Sequence, residues 1–121
     1  MFAEVKAMLT FIKGDDYDEE IAREIKACEL VLTRTSDIVL PGKVDITITK
    51  LPATTSEPER VIITDTSTID DDMVFKVFAT WCNMQIGNPP NIEHLRDTFK
   101  ELRGSMCLSK NYTVYGEVTT E

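Results

Sequence analysis

A single histidine and three cysteines, with no Cys-x-x-Cys pair, stand among the 121 residues of this chain. No set of ligands falls at zinc spacing. Gly-rich phosphate loops and the G-x-S-x-G elbow of serine hydrolases are absent as well. Lysine and arginine number 13 against 21 acidic residues, for a formal charge of −8. A protein that wraps nucleic acid by neutralising phosphates needs clustered cations instead. No apolar run of about 18 residues occurs, and the opening MFAEVKAML carries Glu4 and Lys6 where a signal peptide would be purely apolar. Neither a membrane span nor a signal peptide is expected. No internal repeat or low-complexity linker interrupts the chain, so one domain over residues 1–121 is expected.

The richest stretch runs from Ile69 to Tyr112. Asp70, Asp71 and Asp72 offer carboxylates and an N-cap where a helix would begin, and Met73 to Ile86 is apolar on nearly every face. Such a helix has to be buried on most sides. Gly87 offers a permissive C-terminal cap, Pro89 and Pro90 forbid continuation, and Asn91 can cap a further helix. That helix has one apolar stripe: Ile92, Leu95, Phe99, Leu102 and Met106. Phe75, Phe78 and Trp81 share helical spacing, and with Lys76 as the one interleaved cation they read as core and not as a base-stacking platform.

Toward the N-terminus, Phe2, Val5, Leu9 and Ile12 recur at helical spacing until Gly14. In GDDYDEEIAREIKACELVL, Asp16 and Glu19 form a D-x-x-E variant of the capping box ahead of the stripe Ile21, Ile25, Cys28 and Leu32. Between Pro41 and Asp65 the period changes to two. Val44, Ile46 and Ile48 alternate with Asp45, Thr47 and Thr49, and a β-branched run from Val61 through Ile63 to Thr64 returns after the loop LPATTSEPE. These segments predict helices over about 1–13, 17–33, 70–86 and 92–106, with a hairpin over about 43–65. The fold class is mainly α: a four-helix domain with a β-hairpin inserted between helices 2 and 3. A last strand-like run, Tyr112 to Val118, lies in an extended C-terminal arm over 110–121.

Few residues invite a chemical role. Cys28, Cys82 and Cys107 each fall in a predicted helix among apolar neighbours and read as small core residues in a reducing compartment. Asp15, Asp16, Asp18, Glu19 and Glu20 are numerous enough to suggest calcium, but the spacing is not that of an EF-hand loop and capping accounts for them. His94 beside Glu93 and Asp97 could serve an enzyme, yet no nucleophile has a local signature. No catalytic residue, cofactor or metal is therefore expected. A two-stranded hairpin is marginal alone, so its apolar residues Val44, Ile46, Ile48, Val61 and Ile63 need cover from the chain's own helices or from a neighbour. Tyr112, Val114 and Tyr115 of the arm are the other candidate contacts.

The order of these features resembles a known family. EVKAMLTFIKGDDYDEEIAREIKACELVL, a variable region, and DDMVFKVFATWCNMQIGNPPNIEHLRDTFKELRGSMCLSKNY are similar to the small head–tail connector (DNA-packaging adaptor) proteins of tailed bacteriophages and related prophages. The matching positions are Glu4, Val5, Lys6, Leu9, Ile12, Asp15, Asp16, Asp18, Ile21, Ile25, Ala27, Cys28 and Leu32, then Ala79, Trp81, Asn83, Ile86, Gly87, Phe99, Leu102, Met106, Leu108, Ser109 and Tyr112. Trp81 and Asn83 stand where the family more often has Tyr and Lys, and the hairpin insertion is longer than in its smallest members. The resemblance implies a non-enzymatic virion protein at the head–tail interface, present in the host cytoplasm during assembly. It implies a ring of about a dozen copies below the portal, touching itself, the portal protein and a downstream head-completion or tail protein. DNA would pass through as cargo, and no membrane is involved. A small acidic helical module that binds a basic protein partner is the alternative.

Overall fold

The computed structural model describes residues 1–9, 17–35, 38–86, 91–108 and Tyr112. Its hub is the helix α3 (Asp72–Gln85), and the reason is composition: Val74, Phe75, Val77, Phe78, Ala79, Thr80 and Cys82 are all buried. Asp71 is its N-cap, with a side-chain oxygen accepting the Val74 N–H at 3.1 Å, which satisfies one of the amides a helix start leaves orphaned. Around this hub lie α1 (Phe2–Ala7), α2 (Asp18–Leu30) and α4 (Ile92–Leu108), each in contact with α3. The protein is thus mainly α, with a two-stranded hairpin between α2 and α3.

Several boundaries differ from the sequence expectation. The first helix ends at Ala7, not near residue 13, because the Met8 and Leu9 N–H groups turn back to the Val5 and Lys6 carbonyls at 3.1 Å. Such i→i−3 bonds tighten and close a helix end. The proposed terminator Gly14 lies outside the described residues. Residue 17, Tyr17, is the N-cap of α2 and makes no side-chain capping bond. Asp16 also lies outside the described residues, and Glu19 points instead to Arg23 and Lys50 at 3.0 and 2.7 Å. At its other end α2 passes into a π-helical turn, Val31–Thr35; there the Thr33 hydroxyl donates to the Glu29 carbonyl at 2.8 Å, a side-chain bond that competes with the α ladder.

The C-cap of α3 is Ile86, in extended geometry, while Gly87 lies outside the described residues. Helix α4 runs to Leu108, two residues beyond the predicted end, with the Asn91 carbonyl accepting the Leu95 N–H at 3.1 Å. Its stripe is only partly sealed: Phe99 and Met106 are buried, and Ile92, Leu95 and Leu102 are half-buried. Cys107, expected in the core, is exposed. One step of about 100° along a helix carries it off the face that buries Met106.

The hairpin pairs β1 (Ile46–Leu51) with β2 (Arg60–Asp65) antiparallel, placing Ile46 opposite Asp65, Ile48 opposite Ile63 and Thr49 opposite Ile62. Its root continues past the strands: Thr66 N–H donates to the Asp45 carbonyl at 2.8 Å, and Lys43 exchanges bonds with Thr68 at 2.8 and 2.9 Å. At the entrance Gly42 adopts φ +152°, where a Cβ would lie 3.0 Å from both Cγ1 and the backbone N of Ile69. Gly42→Ala is therefore expected to destabilise the protein by about 1–3 kcal/mol. Urea unfolding checks this as a lowered midpoint with unchanged slope.

Candidate assembly surface

Hairpin and helices are tied together by charge as well as by apolar contact. The Lys50 ammonium reaches Glu19 on α2 at 2.7 Å, and Lys6 on α1 reaches Asp18 at 2.7 Å. Asp65, the last residue of β2, accepts from the Met1 ammonium at 2.8 Å and the Phe2 N–H at 2.7 Å. Burial works to raise the Asp65 carboxyl, but these bonds and those from Ser67 outweigh it and hold it at about 2, against an ordinary 3.8. A carboxyl depressed on folding stabilises the native state above its unfolded value, and that share is lost as pH falls toward the folded one. Stability worth about 2 kcal/mol should fade between about pH 5 and pH 2. Acid titration of the urea midpoint checks this, and in Asp65→Asn the fade should be shallower.

The candidate contacts named from sequence separate into distinct environments. Ile46 is 4 % exposed and belongs to the chain's own core, while Val44, Ile48 and Ile63 pack half-buried against it. Val61 is exposed. So is Ile62, which the sequence pattern passed over because it falls out of phase with Ile63; it lies on the opposite face of β2, across from Thr49. Tyr112 is buried, its hydroxyl donating to Asp71 at 2.7 Å and its carbonyl accepting the Val39 N–H at 2.7 Å. Burial and the Asp71 carboxylate push the phenol up to about 12. Asp71 thereby holds both the start of α3 and the chain beyond α4. Val114, Tyr115 and the rest of the strand-like run after Tyr112 lie outside the described residues.

Two surface features have no counterpart in the sequence reading. Leu108, at the end of α4, is 90 % exposed. Between α3 and α4 a groove of about 300 Å³ is lined by Trp81, Met84 and Phe99 together with Arg96, Lys100 and Arg103. The three cations fall at i, i+4 and i+7, one strip along α4 beside its apolar stripe; the spacing was legible in RDTFKELR, but only the fold shows that α3 leaves that side open. Trp81 and Phe99 rings sit 5.3 Å apart, and the Arg103 guanidinium lies 5.7 Å from the Phe99 ring centre.

Cys28 and Cys82 are buried; burial drives the Cys28 thiol well up, and burial with the nearby Glu24 charge takes Cys82 to about 12. Neither forms a thiolate near neutrality. His94 is exposed on the first turn of α4. Among the described residues no three His, Cys, Asp or Glu side chains converge to hold a metal ion, and no helix is long and apolar enough to cross a membrane. No family model, curated protein or solved structure matches this chain.

Proposed function

We propose that this chain is a structural assembly protein of the head–tail connector type, whose copies close into a ring below a phage portal, extend the DNA channel and present a surface to the next head-completion or tail protein. What supports the reading most is the element order. Two helices, a hairpin and two further helices follow one another along the chain, as the resemblance of the first and last segments implies. A closed ring repeats one heterologous contact, so each copy needs two different patches. The exposed Ile62 on β2 and the exposed Leu108 at the end of α4, on separate elements, are candidates for two such patches. The acidic excess would keep passing DNA from adhering to the channel wall.

Light scattering across a concentration series, with the protein alone and then with its cognate portal protein, tests this. A ring-sized species, or a monomer that joins the portal stoichiometrically, is the expected result. A fixed monomer or dimer indifferent to the portal would overturn the connector reading in favour of an acidic binding module.

A further inference from the structure

We propose that the groove between α3 and α4 is a docking site for a short acidic peptide segment carrying an apolar anchor, a site that neither depends on ring formation nor follows from it. Its apolar wall is Trp81, Met84 and Phe99, and its charge is Arg96, Lys100 and Arg103. The other described cations that make ion pairs, Lys6, Arg23, Lys50 and Arg60, are matched to Asp18, Glu19 or Glu57. No carboxylate among the described residues stands within ion-pair distance of Arg96, Lys100 or Arg103. The acids of α4 itself, Glu93, Asp97 and Glu101, lie on the flank of the cation strip away from the apolar stripe; Glu93 and Asp97 stand one turn before Arg96 and Lys100, yet neither makes an ion pair with them.

Three cations with no carboxylate partner among the described residues, beside apolar and aromatic surface, match a ligand that pairs carboxylates with a hydrophobic side chain. The volume, about 300 Å³, suits a side chain and its neighbours. Nucleic acid fits less well. A duplex carries charge every ~1.7 Å and would extend beyond this strip over a surface where acids outnumber bases. A short peptide meets only the strip. The buried Trp81 indole N–H has no acceptor among the described residues, so a bound peptide carbonyl that came within its reach would satisfy an orphaned donor.

Trp81 is the sole tryptophan, so its emission reports directly on the groove. The full chain is titrated with a ten-residue peptide alternating glutamate and leucine around a central phenylalanine, at low salt. Saturable binding with a blue shift of Trp81 emission is expected. Arg96→Glu/Lys100→Glu, two exposed positions, should weaken it at least ten-fold with unchanged far-UV circular dichroism, whereas Lys43→Glu outside the groove should not. Absence of a shift up to about 1 mM peptide, or equal binding of the glutamine-for-glutamate peptide or by the double variant, would overturn the proposal. So would tighter binding of an oligothymidylate, which would make this a nucleic-acid groove. A concentration-dependent shift without peptide, not displaced by it, would assign the groove to a second copy and equally overturn it.

Discussion

Ile46→Asp is expected to unfold the subunit, not merely to prevent its assembly. Ile46 is 4 % exposed within a single chain, part of the core that includes Ile21, Ile25 and Phe78. An aspartate there loses the apolar burial, about 2 kcal/mol, and buries a carboxylate among core side chains. The cross-strand partner makes this worse, since Ile46 faces Asp65 and like charges directly opposite repel. A loss on the order of 4 kcal/mol or more consumes most of a stability that is typically about 5–15 kcal/mol. Far-UV circular dichroism should show reduced helicity at room temperature. Ile62→Asp is the matched control: Ile62 is 43 % exposed and faces Thr49, so its stability should change by about 0.5 kcal/mol or less. If β2 contributes a ring contact, Ile62→Asp should remain a helical monomer that fails to assemble. A helical, soluble Ile46→Asp that is deficient only in assembly would reverse this assignment and make β1 an interface strand.

Phe78→Ala should cost about 3–5 kcal/mol, the range for removing a fully buried ring. Phe78 heads the fully buried side chains by volume and stands at 0 % exposure near the middle of α3. Helix α3 packs against α1, α2 and α4, so no single neighbour can collapse into the void without leaving another contact. Residual cavity volume therefore stays high, and cost rises with it. Urea denaturation reads the loss directly, and the melting temperature should fall by roughly 10–20 °C. A loss below about 1 kcal/mol would show that α3 has an open side at Phe78 into which its neighbours relax.

Much of this architecture was legible because it depends on neighbours in sequence. The all-round apolar run Met73 to Ile86 could only be an enclosed helix, and Asp71 sits where a cap must be because its side chain reaches an amide three residues on. The alternation of Val44, Ile46 and Ile48 marked both the strand and its inward face. Boundaries were less legible. The stripe Phe2, Val5, Leu9 did not reveal that the helix closes at Ala7, since residues in a tightened turn keep a similar apolar side. Asp16 and Glu19 had the spacing of a capping box, but Lys50, distant in sequence, competes for Glu19 at 2.7 Å. Cys107 read as core from its neighbours, and one helical step decided otherwise.

The candidate surface was the least legible part, for the same physical reason. Which apolar residues remain outside depends on what the rest of the chain covers: Ile46 and Ile63 turn inward, Val61 and Ile62 stay exposed, and Leu108 projects from the end of α4. By itself the sequence determined the helix–helix–hairpin–helix–helix order, the central buried helix and the acidic excess, because periodicity, caps and charge act over a few residues. The tertiary structure alone decided the contacts between distant positions: Asp65 with the Met1 ammonium 64 residues away, Tyr112 with Asp71 41 residues away, and the cation-lined groove where α3 meets α4. Such pairs form only when packing has already fixed both partners, so no local pattern encodes them.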